Sequence, residues 1–493
     1  MTTRTVVWAG GPVAPLPIGT ILSARKMGPW RLVDDLGREV RVTVLRLAID
    51  AARLVWQRLA NALLAAIATA VSGRRSPIVR RDGSNPDGPV VLVVPVLPDQ
   101  SHTFVYREVL ALLRARPSWR CVVLARNAQA PRHGEAEELS ARAVFLPRTG
   151  VTARALRVAR WLATRRGREL FAMYRHPEGG SVRALLGRRV LRDPRDPGNA
   201  FELADLLRPW RPRHIHVYSS THPTNVAMGA AHLLSVPFSV SSYVDFEFAY
   251  DHKMLAEKVA RATFFRVVTQ FCAMRLLSLP ELRGLQPAKV PVVYLGLDLA
   301  NWQARAVRPG RSVLLSAARL VPKKGLQFVP LALQLLREQG LVCHWRVIGD
   351  GQDRVALEAA CQKHGVRDLV EFLGAVDSDA VRRELLAADL AVLPCILTAD
   401  GERDGIPVFL NEAMALSVPV VTTAVSGIPE MVRDGDTGFL CQPSDSASLA
   451  DAIRRALSDP TRAMEVGERG RELVHRMLDV DVTAAQVLQR IEA

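Results

Sequence analysis

This 493-residue chain is short of clustered cysteine, long apolar runs and acidic charge. The six cysteines (Cys121, Cys272, Cys343, Cys361, Cys395 and Cys441) are scattered, with no Cys-x-x-Cys. That argues against a disulfide framework and a zinc site, and it suits a reducing cytosol. No apolar run reaches the roughly 20 residues that a membrane-spanning helix needs. Met1-Thr2-Thr3-Arg4 leads into Val6-Val7-Trp8-Ala9-Gly10, too short an apolar stretch for a secretory signal. The expected location is cytoplasmic, with peripheral attachment to the inner face of the membrane as the variant. Acids number 49 against 65 Lys and Arg, leaving a formal charge of +16.

That excess has three readings: a nucleic-acid binder, a protein on an anionic membrane surface, or a binder of phosphorylated small molecules. The arginines run along the whole chain, densest from Arg154 to Arg195, where Arg165, Arg166, Arg168, Arg188 and Arg189 fall. No aromatic-rich strand pattern of an RNA-binding sheet accompanies them, so nucleic acid is not the expected partner. With 49% hydrophobic and 23% charged residues the chain is globular, and its length implies two domains of about 150–200 residues plus extras.

Residues 1–87 form an extension and linker. Between Val44 and Val71 the polar residues Arg46, Asp50, Arg53, Gln57 and Asn61 recur three or four apart, which places them on one helix face opposite a wide apolar one. Such a helix lies on a membrane or packs on the main body; both readings stand. Ser72 to Gly88 is rich in Pro, Gly, Arg and Asp and reads as a linker.

From residue 88 to 300 strand and helix patterns alternate. Pro89 to Val94, Cys121 to Leu124, His214 to Tyr218 and Pro237 to Ser242 read as buried strands, with helices at Phe104 to Leu113 and Asn225 to Leu234. The alternation resumes in residues 301–475 with strands at Val313 to Ser316, Trp345 to Ile348, Glu371 to Leu373, Leu390 to Leu393 and Pro419 to Thr422. A helix from about Ala463 onward is expected to end the chain, residues 476–493 crossing back to the first domain. The fold class is α/β: two doubly wound, Rossmann-like domains facing a cleft, after an N-terminal helical extension.

Open α/β sheets bind ligands at the carboxyl ends of their strands, and three segments of the second domain end strands there. In Ser316-Ala317-Ala318-Arg319-Leu320-Val321-Pro322-Lys323-Lys324-Gly325, Arg319 and Lys324 suit a pyrophosphate. In Val347-Ile348-Gly349-Asp350-Gly351, Gly349 and Gly351 allow a close backbone approach, to a ligand or merely within a tight turn. In the third, Asp404-Gly405-Ile406-Pro407 opens a helix that contains Glu412. Amides at Gly405 and Ile406 suit an oxygen anion or a sugar, and carboxylates accept paired bonds from vicinal hydroxyls. Glu412 sits among Phe409, Leu410, Ala413, Met414 and Ala415, where an acid needs a partner.

Taken in order, these segments resemble the donor half of retaining, nucleotide-sugar-dependent glycosyltransferases of family 4, which have the two-domain GT-B fold. Phe372-Leu373-Gly374, Glu412-Ala413-Met414-Ala415, Pro419-Val420-Val421-Thr422-Thr423, Ser426-Gly427-Ile428-Pro429-Glu430 and Asp434 to Leu440 complete the series, over about residues 290–480. Ser101-His102-Thr103-Phe104-Val105 and Leu255-Ala256-Glu257-Lys258 resemble the exopolysaccharide, colanic-acid-type branch. The resemblance implies that Arg319 and Lys324 hold the donor diphosphate, Glu412 the ribose, and Asp404 with the Gly405 and Ile406 amides the donor sugar. It implies no metal, no cofactor beyond the donor itself, and a carbohydrate or lipid-linked acceptor.

Two positions depart from the family pattern. Asp404 stands where Glu is usual, one methylene shorter. Ser242 stands where a His, three residues before Asp245, usually meets the donor sugar. His216, His222 and His252 are the candidates to replace it, although a lone histidine more often serves structure. The departures imply a remodelled acceptor site, or activity that is reduced or lost, and the rival reading is a catalytically weak or inactive scaffold or binding subunit of a polysaccharide assembly.

Overall fold

The computed structural model describes residues 85–99, 102–127, 134–147, 149–174, 195–243, 248, 252–302 and 312–493. Nearer the start it places four short strands, β1 (Val6–Trp8), β2 (Gly11–Pro12), β3 (Arg31–Val33) and β4 (Glu39–Val40), in one antiparallel sheet. The amphipathic segment Val44 to Val71 lies outside the described residues.

Strands that are apolar on both sides must be covered on both faces, and parallel sheets meet that need with flanking helices. The first domain does so with β5 (Val90–Leu97), β6 (Arg120–Arg126), β7 (Ala143–Phe145), β8 (His214–Tyr218), β9 (Phe238–Ser242) and β10 (Phe265–Val267). Their spatial order is β10-β9-β8-β5-β6-β7, all parallel. The second domain repeats the plan with β11 (Val313–Ala317), β12 (His344–Ile348), β13 (Val370–Gly374), β14 (Leu390–Leu393), β15 (Val420–Thr423) and β16 (Phe439–Cys441). Here the order is β13-β12-β11-β14-β15-β16, again parallel. Strand order therefore reverses between β5 and β8 in one sheet and between β11 and β14 in the other. Those two switch points are where such sheets open a crevice.

The core strands fall where the apolar runs predict them. The short edge strands β7, β10 and β16 carry too few residues to show a pattern. The expected single C-terminal helix is two, Pro460–Met477 and Val480–Glu492. The break comes at Asp479, whose carboxylate caps the second helix by accepting from the Asp481 and Val482 amides at 2.8 and 3.4 Å. That helix then packs on the first domain. Ala484, Val487 and Ile491 join the same apolar cluster as Val105, Val109 and Leu112, and Arg116 grips Glu492 through two hydrogen bonds of 2.8 and 2.9 Å.

The lobes are therefore joined covalently at two crossings, and these lie side by side. The Leu297 amide donates to the Leu478 carbonyl at 2.6 Å, and the Val480 amide donates to the Leu297 carbonyl at 2.9 Å. Gly296 makes the approach feasible, since a Cβ there would sit 2.5 Å from the Val480 Cα.

A carboxylate adds a third link. Glu430 of the second domain accepts from the Gln270 and Phe271 amides at 2.8 Å each and from the Tyr294 hydroxyl at 2.7 Å. Those amides open the first-domain helix Gln270–Leu277, whose dipole favours an acid at that end. Glu430→Ala should strand three donors at the interface, at about 1–3 kcal/mol for each one left dry. The expected result is a lower thermal midpoint and a larger radius of gyration in solution scattering. Unchanged values of both would mean that Glu430 does not hold the lobes together.

Candidate functional site

The β11/β14 switch point collects the predicted cations and one predicted acid. After β11 the chain turns through Arg319 into a single 3-10 turn, Pro322–Lys324. After β14 it passes Pro394 and Cys395 and reaches Asp404. The two loops are stitched together where the Ile396 amide donates to the Lys323 carbonyl at 3.0 Å. Lys324 Nζ then meets Asp404 Oδ2 at 2.7 Å, and Lys323 Nζ lies 3.7 Å from Asp404 Oδ1.

Asp404 is only 15% exposed, so burial pushes its pKa up. Lys324, Lys323 and Arg319 together override that, and the carboxyl titrates below its ordinary range. Burial and the same carboxylate drive the neighbouring Cys395 thiol far up, so it stays protonated 3.8 Å from Asp404. Arg319 is exposed at the rim. The arrangement is a cluster of three cations around one carboxylate, with Lys324 paired to it and Arg319 exposed. It is suited to a polyanion.

The glycines serve this loop differently from their sequence reading. Gly349 has φ +122°, and a Cβ there would lie 1.8 Å from the Ala318 carbonyl oxygen. At Gly351 a Cβ would lie 2.4 Å from the Leu320 oxygen. Both amides are occupied, Gly349 by the Gly374 carbonyl at 2.8 Å and Gly351 by Asp350 Oδ1 at 2.7 Å. The need for glycine is met by seating the Arg319 loop, so its bearing on a ligand is indirect.

The helix carrying Glu412 runs from Val408 to Ala415, with Pro407 as its cap residue rather than its first turn. Among the described residues the Gly405 and Ile406 amides have no hydrogen-bond partner. Glu412 projects toward the first domain instead of toward Asp404. Its Oε1 lies 3.5 Å from Nη1 of Arg107, which belongs to the first-domain helix Thr103–Ala115. Burial raises the Glu412 pKa and Arg107 opposes that only in part.

On the first-domain side, Ser242 ends β9 with its hydroxyl buried and, among the described residues, without a hydrogen bond. His216 is fully buried, and its two ring nitrogens bond Ser239 and Ser241 hydroxyls at 2.7 and 2.9 Å. Burial holds it neutral, so it has no ring atom to offer a sugar. His222 opens the helix His222–Leu234 on the surface. His252 opens His252–Arg261, in a side-chain region outside the described residues. Lys258, from the quoted Leu255 to Lys258 segment, is buried and donates to the Ser220 and Thr221 carbonyls at 2.8 and 3.2 Å, fixing the loop after β8.

Lys323, Arg107 and Glu430 are site neighbours that sequence reasoning did not single out. Lys323 adjoins Lys324, and Glu430 ends the Ser426-Gly427-Ile428-Pro429-Glu430 segment. Arg107 had no signal, because its partner is more than 300 residues away. In the dense arginine stretch, Arg157 and Arg160 are neutralised by Glu202 and Asp205, with Arg157 at 3.0 and 2.9 Å and Arg160 at 2.5 Å from Asp205. Among the described residues no group of three or more His, Cys, Asp or Glu is placed to hold a metal, and no helix is long and apolar enough to cross a membrane.

Residues 301–473 match the family described as glycosyl transferases group 1. The matched span falls on the second domain, which is therefore similar to group 1 glycosyl transferases. The colanic acid biosynthesis glycosyltransferase WcaL of Salmonella typhimurium is 38% identical over 169 residues, 34% of this chain and 42% of that protein. The amylovoran biosynthesis glycosyltransferase AmsK of Erwinia amylovora is 32% identical over 211 residues, 42% of this chain and 52% of that protein. The chain thus spans about half the length of the relatives it matches. Among solved structures, Anabaena HepE in complex with UDP and glucose superposes with a TM-score of 0.60 at 16% identity, covering 82% of this chain and 100% of that one. Sucrose-phosphate synthase from Thermosynechococcus elongatus does so with 0.60 at 18% identity, covering 82% and 98%. The fold is GT-B.

The lowered pKa of Asp404 has a measurable sign. Its ion pairing stabilises the fold fully above its unfolded value of 3.8, and that contribution is lost as pH falls through the folded value. Asp404→Asn should therefore flatten the loss of thermal stability below about pH 4. An equally steep acid limb in the variant would remove the pair as its source.

Proposed function

We propose that this protein is a retaining glycosyltransferase that moves a sugar from a nucleotide-diphosphate donor to a carbohydrate or lipid-linked acceptor. The setting we propose is exopolysaccharide or cell-envelope polysaccharide synthesis, as the names of WcaL and AmsK suggest. The observation that carries the reading is the cationic cluster at the β11/β14 switch point, where Lys324 is held at 2.7 Å from Asp404 within a domain similar to group 1 glycosyl transferases.

The chemistry follows from charge. Breaking the anomeric bond leaves negative charge on the departing nucleotide diphosphate. Fixed cations that need not reorganise stabilise that charge as it develops. Arg319 at the rim and Lys324 within the crevice supply them without a metal. Asp404 orients Lys324 and faces the donor sugar. The unpartnered Gly405 and Ile406 amides offer donors beside it. Glu412 accepts the ribose hydroxyls. The acceptor enters from the first domain and attacks the face from which the nucleotide departs. Peripheral contact with an anionic membrane belongs to the same proposal and is assigned to the amphipathic segment from Val44 to Val71.

The test is binding and turnover with a panel of UDP-, GDP- and ADP-sugars, with product mass read for transfer. Arg319→Ala together with Lys324→Ala should weaken nucleoside-diphosphate binding by about 100-fold or more while the fold persists. Equal affinity in the double variant would remove both residues from the donor site. Donor binding without turnover on any acceptor would favour the scaffold reading, for which the buried Ser242 hydroxyl is the supporting observation.

A further inference from the structure

Glu412 is a nearly buried carboxylate with most of its accepting capacity unused. It is 12% exposed, and among the described residues its polar partner is Arg107 at 3.5 Å. An ionised carboxylate offers about four acceptor positions. A contact of that length falls outside the range of about 2.7–2.9 Å for a charge-assisted N–H···O bond.

Arg107 enters from the opposite lobe and is itself only 6% exposed. Its Nε donates to Glu135 Oε1 at 3.0 Å, while Nη1, the atom facing Glu412, is buried and among the described residues makes no hydrogen bond. The helix bearing it cannot easily shift. The next residue, Glu108, is locked to the fully buried Arg266 at 2.6 Å, and Arg266 also donates to the Val293 and Tyr294 carbonyls at 2.9 and 3.0 Å. A rigidly mounted guanidinium therefore points one unused donor across the cleft at one underused acid. The planar fork of arginine can serve Glu135 and Glu412 together, which a lysine does less well.

We propose that Arg107 is a positioning residue for nucleotide capture: it holds the Glu412 carboxylate at the cleft so that the ribose diol of a nucleoside diphosphate bonds the same group. The bound nucleotide is then tied to both lobes through one carboxylate. This rests on the donor-site reading above, and it adds a first-domain residue to a subsite otherwise built from the second domain.

The experiment is isothermal titration of the full chain with UDP and 2′-deoxy-UDP, and with GDP and 2′-deoxy-GDP. The variants are Arg107→Met, Arg107→Lys, Glu412→Gln and Arg107→Met combined with Glu412→Gln. The wild type should prefer the ribonucleotide. Arg107→Met should lower ribonucleotide affinity about tenfold, the scale of one lost charged contact, and leave the deoxy form nearly unchanged. Arg107→Lys should recover part of the preference. Adding Arg107→Met to Glu412→Gln should cost little more than Glu412→Gln alone.

An unchanged ribose preference in Arg107→Met, or fully additive losses in the double variant, would overturn the proposal. If the Arg319 and Lys324 double variant still loses binding in that case, the donor site stands without Arg107. If neither UDP nor GDP binds the wild type, both readings fall. Should Arg107→Met not fold by circular dichroism, Arg107→Gln carries the same comparison.

Discussion

A parallel sheet covered on both faces can offer side chains for chemistry only at the ends of its strands. This constraint governs both halves of the molecule. Each sheet reverses its strand order once. In the second domain the loops at the reversal are those after β11 and β14, joined by the Ile396 amide on the Lys323 carbonyl. Lys323 and Lys324 come from one and Asp404 from the other, so the ion pairs are a product of topology as much as of charge.

The acids of the second domain are divided between their own domain and the partner lobe. Asp404 is turned inward on lysines of its own domain. Glu430 satisfies amides and a hydroxyl of the other domain, and Glu412 meets an arginine of that domain. A closed arrangement of the lobes is therefore written in polar contacts, whose strength depends on the water around them. Apolar contact binds the C-terminal helix Val480–Glu492 to the first domain through Ala484, Val487 and Ile491.

The strands were legible because buried parallel strands are continuous apolar runs of a length that few helices share. Val90 to Leu97 and Leu390 to Leu393 show it plainly. The local part of the candidate site was legible for a similar reason: Arg319 and Lys324 lie in the loop after one such run and Asp404 in the loop after another. Contacts that join distant segments were not. Nothing near Arg107 or Glu430 in sequence announces a partner in the other lobe, since the pairing exists only once both sheets have folded. Glycines were read both ways, as a close approach to a ligand or as a tight turn. Gly349 and Gly351 were noticed for the right property, freedom of the backbone, but the structure spends that freedom on the carbonyls of Ala318 and Leu320.

The paired crossings at Leu297 and Val480 restrict how the molecule can move. Two strands of chain that hydrogen-bond to each other must swing as one. They act as the leaf of a door hinge, permitting rotation about a single line and opposing sideways slip of one lobe past the other. Opening the crevice about that line parts Glu412 from Arg107 and Glu430 from its first-domain donors.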